Sequence, residues 1–338
     1  MKRMIQCCCL LLFFITPVLA QTGGIKLGGD DKHYKDSIRR AGYPYRFPIL
    51  GSNVVAKGFN IQYPVGAMIN FTTGSQQVNI TDLKVGFNDQ APVAMDFIKF
   101  GKVKANMQSA TARVDLWLLP FLDVYGILGL VQAKTNVSIV APFEFSSEAK
   151  FKGHTIGLGT TLAGGYHNII SITDVNYTWT HMDKLSDAVK TLMITPRVGY
   201  NFQLSNHVNK SVALWIGATG FFVNQSTNGS ISLSDLHPQM DPAKVDAIIA
   251  ETEDWYKSLT KPQQVVVKNI AQGIKNKIDG LPDDLTVNYS LKKTPTSHWS
   301  MIAGGQFQFN KRWQVRTEAG FLGGRSSFLL SGNYRWRW

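Results

Sequence analysis

The chain has 338 residues and a formal net charge of +12, with 44% hydrophobic but only 17% charged residues, below the roughly 25% charge of soluble domains. No run of about 18 apolar residues occurs beyond the N-terminus, which excludes a membrane-spanning helix in the rest of the chain but not a barrel. The three cysteines are Cys7, Cys8 and Cys9, so a chain shortened past them has no disulfide, thiolate metal site or cysteine nucleophile.

Residues 1–20 read as a secretory signal. Lys2 and Arg3 form a basic start, Met4 to Ile15 an apolar stretch, and Val18-Leu19-Ala20 a small-residue cleavage site. The cysteines sit too early, without a small-residue approach, for a lipid-anchoring box. Cleavage before Gln21 removes Lys2 and Arg3 and leaves +10.

Residues 21–60 are polar and irregular. The Tyr43-Pro44-Tyr45-Arg46-Phe47-Pro48 run cannot be a central strand, because proline removes ladder donors. This segment is expected to be a periplasmic arm, or a plug entering a barrel. A spanning region, residues 61–338, starts near Pro64.

From there, period-two segments recur. Val65 to Val85 holds a strand of ambiguous phase. In Lys102 to Leu119, Val114, Leu116 and Leu118 face one way, and Thr111, Arg113 and Asp115 the other. Pro120 to Asp123 is a tight turn, and Val124 to Val137 returns. A loop is expected over Pro142 to Lys152, then strands over Thr155 to Gly165, Ile169 to Thr180, Leu192 to Phe202 and Val212 to Phe222. Trp299 to Phe309 and Trp313 to Phe321 follow. Spans of about 9–11 residues suit tilted strands crossing a bilayer.

The segment between Phe222 and Trp299 breaks this rhythm and reads as non-strand. Asp241-Pro242 is a helix start. Val245, Ile248, Ile249, Trp255 and Tyr256 recur at helical spacing. A second helix starts at Lys261-Pro262, with Val266, Ile270 and Ile274 on one face. A helical hairpin over residues 237–282 is therefore expected in an outer loop. Val245, Ile249, Trp255, Tyr256, Ile270 and Ile274 are its candidate lid or plug residues, unless the two apolar faces only bury each other.

The last stretch organises the rest. Phe328, Leu330, Gly332, Tyr334, Trp336 and Trp338 alternate with Leu329, Ser331, Asn333, Arg335 and Arg337. One face is aromatic, and the other mostly polar and basic. Aromatic rings on an outer face suit a bilayer interface. In this terminal strand the chain resembles bacterial (Gram-negative) outer-membrane β-barrel proteins. The resemblance implies an all-β fold, a transmembrane antiparallel up-and-down barrel of about ten strands (eight to twelve), with both termini periplasmic. It also implies outer-membrane lipid as surroundings and the barrel-assembly machinery as a partner of Phe328, Leu330, Tyr334, Trp336 and Trp338.

The candidate lumen lining is Arg113, Asp115, Asp174, Arg197, Arg312, Arg316, Glu318, Arg335 and Arg337. Basic residues outnumber acidic ones, which favours small anionic solutes in an open pore. Alternatively, the charges pair across a narrow lumen, since ten strands lie nearer a filled barrel than an open channel. The seven histidines sit in no nucleophile motif, and no metal or phosphate motif occurs, so no cofactor is expected. No basic cluster with stacking residues points to nucleic acid. The leading reading is a narrow pore or transporter with a basic lumen. The alternative is a closed structural or partner-binding barrel acting through its outer loops, and the third a lipid-modifying enzyme.

Overall fold

The computed structural model describes residues 25–26, 31–87, 91–141, 145–204, 210–224, 226–232, 237–238, 253–278 and 286–338. The signal segment, Val245 and Ile249 lie outside them. Four helices are described: α1 (Asp31–Ala41), α2 (Gly51–Ala56), α3 (Glu253–Ser258) and α4 (Lys261–Ile278). The longer strands are β1 (Val65–Phe87), β2 (Val103–Leu119), β3 (Leu122–Ala141), β4 (Phe145–Tyr166), β5 (Ile169–Met182) and β6 (Val189–Gln203). They continue with β7 (Ser211–Val223), β8 (Ser226–Ser232), β9 (Thr286–Pro295), β10 (Trp299–Gln308), β11 (Trp313–Phe321) and β12 (Arg325–Trp336).

Ten of these strands close into an antiparallel barrel. The ring runs β1-β2-β3-β4-β5-β6-β7-β10-β11-β12, each paired with the next. β12 closes the ring on β1, from Arg325 opposite Gln76 to Trp336 opposite Val65. Closure matters because an open edge has no water to satisfy it inside a bilayer.

The strands differ in length. β11 has 9 residues, whereas β1 has 23 and β4 has 22. The surplus projects beyond the barrel at the end away from the termini. There β9 takes over from β12 along the upper half of β1, with Val287 opposite Phe87 and Pro295 opposite Val78, and β8 pairs with β9. Two sequence expectations are corrected. The loop placed over Pro142 to Lys152 is largely strand, since β4 starts at Phe145. The insertion read as non-strand contains the β8 and β9 pair. Above the bilayer the contrast inverts, with Phe151 buried and Lys150 and Lys152 exposed, so a search for outward apolar residues misses these strands.

The projecting end has its own core. Val266 of α4 packs with Val85, Phe87, Met95 and Val287. Ile80, Val103 and Leu291 form a second cluster below it. Trp255 of α3 meets Phe97 edge-on at 5.2 Å, and the Gln263 side-chain amide donates to the Ala94 carbonyl at 2.9 Å. Tyr256 donates its hydroxyl to the Gln264 carbonyl at 3.2 Å. Ile270 and Ile274 fall within α4, with side chains outside the described residues.

At the opposite end, residues 31–64 form a small cap. Ile38, Val54, Val55 and Ile61 bury one another, with Tyr43 and Phe59 packed alongside. The cap is tied to the barrel mouth: the Ile49 amide donates to the Leu118 carbonyl at 2.8 Å, and the Trp117 amide to the Pro64 carbonyl at 2.9 Å.

Candidate functional site: a charged network across the lumen

Because side chains alternate along each strand, the pairing register sorts every barrel residue onto the outer or the inner face. The outer set is apolar and open: Leu130 is 69% exposed, Ile216 66% and Leu158 64%. Val114, Leu128, Ile156, Val198, Leu214 and Phe71 share that face and are also exposed. Aromatic rings flank this band. Tyr166, Phe202, Phe309 and Trp313 lie toward the cap, and Trp299 and Phe321 toward the projecting end. The inner set buries Asp115, Asp174, Arg197, Glu318 and Arg335. A water-soluble barrel would have these faces reversed, since an apolar girdle this wide is stable only against lipid. The chain is a transmembrane β-barrel of the outer-membrane type. Both ends of the barrel chain, Val65 and Trp336, lie at the capped mouth, the periplasmic end in this architecture.

β12 carries Phe328 and Leu330 exposed on the lipid face. Tyr334 packs on Trp313 at 4.8 Å and lies 6.2 Å from Trp336. Trp338 is 72% exposed, beyond the end of the strand.

Inside, toward the periplasmic end, eight charged side chains form one connected network. Arg335 of β12 contacts Asp115 of β2 at 2.7 Å. Arg113 lies 3.9 Å from Asp115, pairs closely with Asp123 of β3, and lies 3.9 Å from Asp174 of β5. Arg197 of β6 holds Asp174 at 2.5 Å and Glu318 of β11 at 2.6 Å. Arg316 contacts Glu318 at 2.7 Å and Asp174 at 3.7 Å. Four arginines therefore face four carboxylates. β5 and β11 stand four strands apart around a ring of ten, so the Arg316–Asp174 contact crosses the lumen from one wall nearly to the other.

Neutral groups brace the network. The Trp215 indole donates to Glu318 Oε1 at 2.8 Å. Thr161 donates its hydroxyl to Asp174 at 2.5 Å. The Arg113 guanidinium lies 3.5 Å from the centre of the Tyr125 ring. Arg335 also donates from Nε to the Tyr63 carbonyl at 2.7 Å and from Nη2 to the Pro64 carbonyl at 3.1 Å. The cap is thus fastened to the same residue that closes the network.

These long side chains lie flat over glycines on neighbouring strands. A Cβ on Gly66 would stand 2.7 Å from Asp115 and 2.8 Å from Arg335, and one on Gly304 2.6 Å from Glu318. We expect Gly66→Ala to push Asp115 and Arg335 apart. Its cost is about 1–3 kcal/mol, as for other overpacked sites, measured as a lower urea midpoint for unfolding from detergent micelles.

Seven of the nine lumen candidates from the sequence belong to this network. Two do not. Arg312 sits in the turn before β11 and donates to the Tyr334 hydroxyl at 2.9 Å. Arg337 lies past β12, outside the barrel, and donates to the Tyr63 hydroxyl at 3.2 Å. The turn expected over Pro120 to Asp123 misplaces Asp123, which is the second residue of β3 and 1% exposed. Its signal was available: Asp123 and Tyr125 share the parity opposite to Val124. Asp123 also removes the basic excess expected of this set.

Two further cations point inward nearer the outer end. Arg325 lies 4.5 Å from the centre of the Phe221 ring and Lys293 5.9 Å from that of Phe151. Neither has a carboxylate partner among the described residues. Lys293 belongs to β9, above the apolar band. Burial lowers the pKa of its ammonium below the usual lysine value.

No family model matches the chain, and no curated protein matches it. Several solved structures are similar to it in overall shape. The transport unit of the autotransporter AIDA-I from Escherichia coli aligns with 90% of this chain and 98% of its own, at 12% identity and a TM-score of 0.36. The outer membrane protein OprG from Pseudomonas aeruginosa aligns with 81% and 98%, at 9% identity and 0.37. The toluene transporter TodX from Pseudomonas putida aligns with 93% and 98%, at 9% identity and 0.26. These scores are too low to carry any function to this chain.

Proposed function

We propose that the barrel is a narrow conduit for small solutes, preferring anions, that rests closed. The observation that carries this reading is the nature of the closure. A lumen filled only for stability is better served by apolar side chains, because ion pairs recover little beyond the cost of drying them. Here the closure is ionic and built on long, flexible arginines lying over glycines, which can swing without unfolding a strand. The balanced network gives no anion preference of its own. That preference is assigned to Arg325 and Lys293, toward the outer end.

The test is reversal potential in a salt gradient, recorded during openings of the refolded protein in a planar bilayer. Arg325→Gln with Lys293→Gln is expected to move the potential toward zero selectivity. In the parent protein the preference weakens as pH rises, and because the Lys293 pKa is lowered, its share is lost before that of an exposed lysine. An unchanged potential in the double variant would remove the assignment.

A second reading has its own support. Helix α4 packs through Val266 on the projecting parts of β1 and β9 at the outer end, where a closed barrel that binds partners through its outer loops would present them. Complete electrical silence, with or without the network, would favour it. For the lipid-modifying reading, the two rim histidines His154 and His181 stack on each other at 5.1 Å on the outer face.

A further inference from the structure

The outer face just above the lipid band is uneven. Along β3 the outward residues change from Leu128 and Leu130 to Gln132 and Lys134. Along β4 they change from Leu158 and Ile156 to His154, Lys152 and Lys150, and along β2 from Ala112 and Ala110 to Gln108, Asn106 and Lys104. The register aligns these changes. Gln108, Gln132 and Lys152 form one row, Asn106, Lys134 and Lys150 the next, and Lys104, Asn136 and Glu148 the third. On β7, β10 and β11 the same boundary carries Phe222, Trp299 and Phe321 instead.

The three rows cover about 10 Å across three strands. They hold four lysines and four side-chain amides, facing outward. Glu148 is the one acid of the grid, and it clamps two lysines, Lys134 at 2.5 Å and Lys150 at 3.5 Å. Asp183 stands beside the grid and accepts from the Lys152 main-chain amide at 3.1 Å. The grid remains cationic, with Lys134 and Lys150 held in place before any ligand arrives. It begins where the lipid chains end, which is the level of lipid headgroups.

We propose that this grid binds the phosphorylated headgroup of an outer-leaflet lipid. The lysines neutralise its phosphate, the amides hydrogen-bond its polar groups, and the acyl chains lie on Leu130, Ile156 and Leu158 below. Continuity with the lipid band selects a lipid over a free anion, because a soluble phosphate gains nothing from that apolar wall.

The test uses the full chain in detergent, with native mass spectrometry of retained phosphatidic acid against phosphatidylcholine. Each lysine near an anionic surface contributes about fivefold. Lys134→Gln with Lys150→Gln and Lys152→Gln is therefore expected to cut the preference for phosphatidic acid about a hundredfold. Lys57→Gln with Lys261→Gln and Lys311→Gln removes the same charge elsewhere and should leave the preference intact. The single Lys104→Gln should show a partial, roughly fivefold loss. Equal retention by the two triple variants would overturn the proposal. So would displacement of the lipid by inorganic phosphate at matched concentration, which would make this a phosphate site.

Discussion

Asp174→Ala should destabilise the barrel more than any other single change in the lumen. Asp174 contacts Arg197 at 2.5 Å, Arg316 at 3.7 Å and Arg113 at 3.9 Å, and its side chain is 9% exposed. Removing it leaves four arginines facing three carboxylates in a site that excludes most water. Breaking a buried ion pair from one side costs about 3–5 kcal/mol. The measurement is urea unfolding from micelles, followed by the heat-dependent gel mobility that folded barrels show. The paired change Arg197→Met with Glu318→Leu is the control. It removes one charge of each sign and leaves the remaining six balanced. Its expected loss is only about 1 kcal/mol, that of the Trp215 N–H left without its acceptor. Equal losses in the two variants would show that packing, not charge balance, holds this level of the lumen.

The second large effect lies at the outer end. Val266 is 3% exposed and packs on Val85, Phe87, Met95 and Val287. Val266→Asp places a carboxylate there without a partner, and an ionised group in such a place costs several kcal/mol. The barrel wall does not depend on α4, so the expected result is local. Helices α3 and α4 should detach while the barrel stays folded. Limited proteolysis should then cut within residues 253–278 at least tenfold faster, with gel mobility of the barrel unchanged. Loss of the barrel itself would mean that the outer cluster and the ring fold as one unit.

Much of the barrel was legible from residue order because lipid imposes a rule on every other residue. Val114 and Leu116, or Tyr334 and Trp336, announce the outer face, and the intervening Arg113, Asp115 and Arg335 follow as the inner one. The rule lapses outside the bilayer. In the projecting parts of β4 and β9, Phe151, Val287 and Leu291 are buried while Lys150, Lys152 and Lys292 face water. The alternation is then that of a soluble sheet, which the loop expected over Pro142 to Lys152 and the non-strand segment expected between Phe222 and Trp299 both overlook.

The site was legible as a set of residues but not as an arrangement. Residue order gives the parity of Arg197 and Glu318. It does not show that they meet across β7 and β10, because that depends on closure of the ring. Asp123 was lost to its place beside a turn, and with it the balance of charge. The cap was legible only as a segment unsuited to strands. Its attachment combines main-chain groups of Ile49, Tyr63 and Pro64 with side chains such as Gln62, Arg335 and Arg337, pairings that no periodicity encodes.

We propose that the ion network closes the lumen. The most direct measurement is single-channel recording of the refolded protein beside the Arg316→Ala, Glu318→Ala double variant. That variant removes the contact reaching from β11 to β5 yet keeps three arginines against three carboxylates. The parent protein should hold a closed baseline with rare openings, and the variant should show frequent discrete steps. A parent that conducts steadily, or a folded variant as quiet as the parent, would show that the network does not close the lumen.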